Sequence, residues 1–148
     1  MDASPPPDRS VTPSGFVVQV DTGDRIHFLD WGGERGPDPG TLLIHGVSNT
    51  AWTWAPVARR VRGARHTVAM DLRGHGLSDA PTDGYDPGTL AGDVVAVAEG
   101  SGLLAGAADR VVLAGHGFGA IVAAWAAIEL GDRCAGLVLV DGGWESLE

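Results

Sequence analysis

Short apolar runs alternate with polar, glycine-rich stretches along the chain. This pattern predicts six strands, at residues 16–20, 25–31, 41–44, 66–70, 111–114 and 135–140. The first two flank turn residues at 21–24, which predicts an antiparallel hairpin. The run at 111–114 is rich in β-branched residues, which is typical of a strand that a parallel sheet buries on both faces.

Three helices are predicted between these strands, at residues 51–61, from 85–87 through Glu99, and at 118–130. Asn49 or Thr50 is a candidate N-cap for the first helix, and Pro56 predicts either a kink or a later start. The third helix is apolar on every side and is therefore expected inside the protein, with Gly131 as its left-handed C-cap. Strands that alternate with helices after a hairpin predict an α/β protein with a mostly parallel sheet.

The 148 residues fit one domain. Residues 1–14 are rich in proline and polar residues and are predicted to be a disordered leader, so the folded part is expected to span 15–148. The first residues lack the basic region and apolar core of a signal peptide. No apolar run reaches the roughly 18 residues that a membrane-spanning helix needs.

The formal net charge of −9 argues against partners that present a dense negative charge, such as nucleic acid or an anionic membrane. Cys134 is the single cysteine, which excludes an intramolecular disulfide and fits a reducing cytoplasm. We expect it to be a packing residue in a turn before the last strand. The sequence contains no set of residues with metal-ligand spacing, and we predict neither a metal nor a cofactor.

A glycine-rich turn, Gly115-His116-Gly117-Phe118-Gly119, joins the fifth predicted strand to the third helix. It resembles the G-x-S-x-G nucleophile elbow of the α/β-hydrolase family, whose outer glycines allow backbones to approach closely. The middle position is Gly117, so the turn has neither the serine of the esterases nor the aspartate of dehalogenases and epoxide hydrolases. The resemblance implies an α/β-hydrolase fold with the position of the nucleophile unfilled.

Two more segments resemble the same family, and each follows a strand. One is the His45-Gly46 turn, and the other is the loop at 71–79, which matches D-x-R-G-x-G-x-S. In this family the backbone N–H groups of the residues corresponding to Val47 and Phe118 form the oxyanion hole. Together the three motifs cover most of residues 16–143.

The resemblance is incomplete in a second way. The family's triad order is Ser, then Asp or Glu, then a late His, and we expect that histidine and the last strands beyond residue 148. The chain therefore resembles the N-terminal half of such a domain, with about six strands of an incomplete sheet. Asp141, at the tip of the last predicted strand, is a candidate catalytic acid and equally a turn aspartate.

Several other residues carry reactive groups. His45, His75 and His116 lie in glycine turns, where loop-structuring hydrogen bonds are favoured over acid–base chemistry. Ser48 and Ser78 are weak candidates for a substitute nucleophile, because neither lies on an elbow. Two tryptophans, Trp52 and Trp54, are expected to pack the first helix.

Three functions remain open. The first is a member of a family that hydrolyses esters or similar acyl substrates, inactive here. The second is a non-catalytic module that binds a small acyl or carboxylate ligand or a partner chain. Because the sixth strand is a predicted sheet edge, self-association or a complementing C-terminal chain would serve as that partner. The third is a dinucleotide-binding protein, since Gly115, Gly117 and Ala120 fit G-x-G-x-x-G/A and Asp141 follows 26 positions after Gly115.

Overall fold

The computed structural model describes residues 5–105 and 109–144. Its six strands confirm the predicted set: β1 (Ser14–Gln19), β2 (Arg25–Asp30), β3 (Gly40–Ile44), β4 (Thr67–Met70), β5 (Val111–His116) and β6 (Cys134–Val140). The helices are α1 (Ala55–Val61), α2 (Pro87–Gly100) and α3 (Phe118–Leu130), with short 3₁₀ turns at Ala51–Trp54 and Gly131–Arg133.

One sheet contains all six strands in the order β1-β2-β4-β3-β5-β6. The β1–β2 and β2–β4 pairs are antiparallel, and the remaining pairs are parallel, which confirms the mostly parallel sheet with an opening hairpin. β3 lies beside β5, with Ile44 opposite Gly115. The loops that follow these two strands therefore emerge side by side at one edge of the sheet.

The first helical segment starts as a 3₁₀ turn, and α1 begins only at Ala55. Pro56 lies in the first turn of α1, where its missing N–H costs nothing, so the expected later start is confirmed and a kink is not needed. Thr50 caps the 3₁₀ turn, since its hydroxyl accepts from the Trp52 N–H at 3.3 Å. Asp86 caps α2 in the same way through the Thr89 N–H at 2.9 Å.

Two apolar clusters lie on opposite faces of the sheet. The larger one joins α2 and α3 to residues such as Leu42, Val68 and Leu113. The smaller one lies under α1 and includes Trp31 and Trp54. Burial of apolar surface on both faces explains the uninterrupted apolar runs of the parallel strands.

The expectation that α3 is buried on every side is wrong. Val122 and Ala126 are fully buried, whereas Ile128 is 78% exposed and Trp125 is 37% exposed. One side of α3 packs against the sheet and α2, and no described element covers its outer side. Gly131 caps the helix with φ 55° and ψ −124°, a conformation with positive φ that lies outside the left-handed helical region.

Within the described residues, Val11 anchors the segment that precedes β1. Val11 is half-buried against the smaller cluster, and its carbonyl accepts from Arg59 Nε at 3.2 Å. Strand β1 begins at Ser14, the last residue of the predicted leader. Disorder of residues 1–14 stays a prediction. In the part of the chain that the structure describes, no helix is long and apolar enough to cross a membrane.

Candidate functional site

Two glycine-rich turns meet where β3 and β5 end. A Cβ atom at Gly115 would collide with the Gly119 carbonyl, and one at Gly119 would collide with the His45 carbonyl. Both positions therefore require glycine, because each backbone lies against another backbone. Gly119 therefore lets the β5–α3 connection pack against the loop that follows β3, and Gly115 lets the turn close on its own backbone.

Gly117 occupies the tip of this turn, with φ 56° and ψ −125°. Its N–H donates to the Val140 carbonyl, and its own carbonyl accepts from the Ala120 N–H, both at 2.9 Å. A Cβ atom here would find its nearest neighbour, the Gly46 Cα, at 3.9 Å. The position thus has room for a side chain, while its backbone disfavours any residue except glycine.

Val47 follows Gly46 and Phe118 follows Gly117, and these two glycines face each other across the turns. Neither backbone N–H donates to an acceptor among the described residues. Phe118 is the first residue of α3, where the helix dipole adds partial positive charge. Two free donors beside a helix N-terminus suit a carbonyl oxygen or a carboxylate.

The ring of His45 is completely buried and uses both nitrogens. Nδ1–H donates to the Gly46 carbonyl at 2.7 Å, and Nε2 accepts from the Leu72 N–H at 3.0 Å. Burial lowers the pKa of His45 below its usual value, although the hydrogen bond to Gly46 opposes that shift. The neutral imidazole holds the loops after β3 and β4 together.

His75 makes a similar connection from the loop after β4. Its Nδ1–H donates to the Arg73 carbonyl at 3.1 Å, and its Nε2 accepts from the Ser48 N–H at 3.2 Å. Ser48 itself has φ 64°, a conformation that costs a non-glycine residue stability. The contact uses the backbone of Ser48 and leaves its hydroxyl unactivated.

Asp71 collects donors from three separate segments. Its carboxylate accepts from Ala51 N–H at 2.7 Å, from Leu77 N–H at 3.1 Å and from His27 Nδ1–H at 2.9 Å. Ser78 completes the network, since its hydroxyl donates to the Asp71 carbonyl and accepts from the His27 N–H. The hydroxyl of Ser78 is therefore occupied by structural bonds.

Asp141 and His116 lie at the rim of the site. Asp141 is exposed, with φ 52°, and the next residue, Gly142, lies close to the Gly117 carbonyl. His116 is half-buried, and its ring and carbonyl lie so near Gly46 that a Cβ there would be crowded. The structure brings the loop after β6 against the elbow but joins Asp141 and His116 by no hydrogen bond among the described residues.

The sequence reasoning missed two buried interactions of the motif loop after β4. Besides the Asp71 network, Arg73 pairs with Asp93 of α2 through two bonds, at 2.7 and 2.8 Å. Burial raises the pKa of the Asp93 carboxyl, and the Arg73 guanidinium opposes that shift. The available signal in the sequence was Asp93, a charged residue among the apolar residues of the second predicted helix, because a buried charge needs a partner. No metal-binding group of three side chains occurs within residues 5–105 and 109–144.

A mostly parallel sheet with a glycine elbow between a strand and the helix that packs on the sheet defines the class of α/β-hydrolase folds. The chain belongs to the alpha/beta hydrolase family, whose family model matches residues 41–147.

Relatives and solved structures agree with this assignment. A 2-(acetamidomethylene)succinate hydrolase of Mesorhizobium japonicum is 33% identical over 109 residues, which are 73% of this chain and 37% of the relative. Mouse epoxide hydrolase 4 is 33% identical over 126 residues, or 82% of this chain and 33% of that protein. The crystal structure of a membrane phospholipase A superposes with a TM-score of 0.79 at 33% identity, covering 93% of this chain and 43% of the other. The chain thus spans well under half the length of these proteins.

Proposed function

We propose that this chain is a hydrolase-family protein, related to enzymes that cleave esters or similar acyl substrates, which binds a carbonyl or carboxylate group without cleaving it. The observation that supports the absence of cleavage is the elbow position Gly117. Its backbone has a positive-φ conformation that would be strained for a residue with a side chain, as at a nucleophile turn, yet Gly117 carries no side chain to attack a substrate. Serine and aspartate chemistry are both removed by the same absence.

The binding half of the proposal rests on the backbone N–H groups of Val47 and Phe118. Donors of this kind are placed in hydrolases where negative charge develops on an oxygen, and each contributes roughly 2.7–4 kcal/mol to the transition state. A carboxylate already carries that charge, so it would occupy the cradle as a stable ligand. An inactive member of the hydrolase family and a non-catalytic binding module would thus bind their ligand through the same two donors.

Two measurements on the 148-residue chain test the two halves separately. Hydrolysis of p-nitrophenyl acetate and butyrate should not exceed the buffer rate, and a saturable excess would refute the loss of catalysis. In ¹⁵N-resolved NMR spectra, added butyrate should shift the amides of Val47 and Phe118 saturably. The amide of Leu77 serves as a control, because the Asp71 carboxylate already occupies it. Equal shifts at all three amides would refute the cradle.

The dinucleotide alternative uses the same helix N-terminus for a phosphate. Quenching of tryptophan fluorescence by NADH distinguishes it, because a dinucleotide-binding protein should give a saturable curve. We expect no saturable signal. The compartment we propose remains the cytoplasm, on the basis of the single cysteine.

A further inference from the structure

We propose that His75 is a positioning residue for the carboxylate cradle, which consists of the backbone N–H groups of Val47 and Phe118. His75 lies in the loop after β4 and acts through Ser48, the residue after Val47, which is 27 positions away along the chain. The inference rests on the proposed function, because it explains how one of the two donors is held in place.

The Val47 donor belongs to a β-turn that is strained at its third residue. The Asn49 N–H donates to the Gly46 carbonyl at 3.2 Å, and Ser48 has φ 64°. A positive φ at the third residue of a turn is typical of type II, where glycine or asparagine is favoured at that position. Serine there costs conformational free energy, so the turn needs stabilising contacts from outside its own four residues.

Side-chain packing does not provide these contacts. Val47 is 63% exposed, and Ser48 is exposed as well. The conformation of the turn therefore depends on hydrogen bonds to its backbone. Two imidazole rings, those of His45 and His75, make such bonds, and their centroids lie 5.1 Å apart.

His45 anchors the peptide that contains the Val47 donor. The Gly46 carbonyl and the Val47 N–H belong to one planar trans peptide and therefore point in opposite directions. Because the His45 Nδ1–H donates to the Gly46 carbonyl at 2.7 Å, it sets the direction of the Val47 N–H. This bond holds one side of the Val47 Cα and leaves the peptide on the other side to a second anchor.

His75 is that second anchor, because it holds the central peptide of the turn. The peptide that joins Val47 to Ser48 has opposite orientations in type I and type II turns. His75 Nε2 accepts the Ser48 N–H at 3.2 Å and so stabilises the type II orientation. The Nδ1–H of the same ring donates to the Arg73 carbonyl at 3.1 Å, which keeps Nε2 as the acceptor. Without this acceptor the central peptide could rotate, and the backbone at Val47 would move with it.

The test separates the acceptor of His75 from its ring. His75→Phe keeps an aromatic ring beside His45 and has no acceptor, whereas His75→Gln loses the ring and can place an amide oxygen near the position of Nε2. The readout is the apparent Kd for butyrate, taken from the saturable shift of the Val47 amide. His75→Phe should raise this Kd about two- to tenfold, because the loss of one hydrogen bond lowers the fraction of chains with a formed cradle. His75→Gln should leave it within about twofold.

Leu77→Ala is the control from the same loop. The Leu77 side chain is 75% exposed, and its backbone bond to Asp71 does not depend on the side chain, so the Kd should not change. Urea denaturation of every variant gives its free energy of unfolding. If the Kd values followed stability instead of the presence of an acceptor, the role of His75 would be structural only, and the inference would fail.

Replacing Ser48 by glycine tests the link to backbone strain. Glycine adopts a positive φ without penalty, so the turn should depend less on His75 in a Ser48→Gly background. His75→Phe should therefore raise the Kd by a smaller factor in this background than in the unaltered chain. Equal factors in the two backgrounds would refute the link between His75 and the turn.

Spectra without ligand separate the failure of this inference from the failure of the proposed function. A scalar coupling across the hydrogen bond between the Ser48 nitrogen and His75 Nε2 should be present in the unaltered chain, and the Val47 amide should shift in His75→Phe more than in His75→Gln. If both hold while butyrate does not bind, the proposed ligand is wrong and His75 still positions Val47. An absent coupling, or a Val47 amide that responds equally to both substitutions, would overturn the inference even if butyrate binds.

Discussion

Replacing Gly117 by alanine measures the free-energy penalty that the elbow conformation imposes on a residue with a side chain. The structure contains a matched site, because Gly131 at the end of α3 has φ 55° and ψ −124°, against 56° and −125° at Gly117. A Cβ at Gly131 meets nothing within 4 Å, and one at Gly117 meets only the Gly46 Cα at 3.9 Å. The two substitutions therefore differ in location and share the same backbone penalty.

The size of the effect follows from two opposing contributions. A non-glycine residue in a sparsely populated region costs about 1–3 kcal/mol in the folded state. Alanine also restricts the unfolded chain, which returns about 0.4–1 kcal/mol. We expect Gly117→Ala and Gly131→Ala each to lower the free energy of unfolding by about 1–2 kcal/mol, or the Tm by about 2–8 °C.

Urea denaturation followed by tryptophan fluorescence provides the measurement, with Gly92→Ala as the control of opposite sign. Gly92 lies in α2 without a positive φ, and its Cβ would also meet nothing within 4 Å, so alanine there should stabilise by about 0.5–1 kcal/mol. If Gly117→Ala behaved like Gly92→Ala, the strain would be absent. If Gly117→Ala lowered the free energy of unfolding by several kcal/mol more than Gly131→Ala, the inference that the elbow has room for a Cβ would be wrong.

Three further substitutions test other parts of the site. Asp93→Asn should lower the free energy of unfolding by about 3–5 kcal/mol, because the buried Arg73 would keep only its longer ion pair with Asp24, at 3.6 Å; a loss no larger than that of a surface mutation would contradict the pairing. Gly119→Ala should abolish cooperative unfolding, since its Cβ would overlap the His45 carbonyl, and a native-like urea curve would refute that contact. Burial holds the folded-state pKa of His45 below 6.5, so the neutral ring contributes its full stability above pH 6.5 and loses that contribution as the pH falls from 6.5 through the folded-state pKa. His45→Gln should therefore flatten this part of the curve of stability against pH. An unchanged slope would show that another group causes the pH dependence.

The sequence predicted the strands well because a parallel sheet buries both faces of its inner strands. The uninterrupted apolar run at 111–114 therefore marks the start of β5 to the residue, and the strand continues for two more residues into the glycine turn. The same apolar character misled the prediction for α3, because hydrophobicity shows that a face can be buried and not that another element covers it. Ile128 is the clearest case, apolar in sequence and 78% exposed.

The polar connections of the site could not be predicted for a different reason. The partners of Asp71 lie 44 residues before it, at His27, and 20 residues before it, at Ala51. Two of its three bonds involve backbone N–H groups, which every residue except proline carries, so no residue type reveals them. Motif resemblance located the loops, whereas the bonds between them depend on the relative placement of whole strands.

The three hydrogen bonds of the Asp71 carboxylate have a consequence for how the molecule opens. Ala51 and Leu77 belong to different loops, yet their amides share one acceptor group. A movement of the Asp71 carboxylate that exposes one of these amides to solvent also weakens the hydrogen bond of the other. Hydrogen exchange at both amides should therefore report one opening event. Strand β2 is linked to the same carboxylate, because the His27 ring donates a hydrogen bond to Asp71. We therefore expect the loops that follow β3 and β4 to open as one cooperative unit, and the lifetime of the closed state would limit the retention of the ligand proposed above.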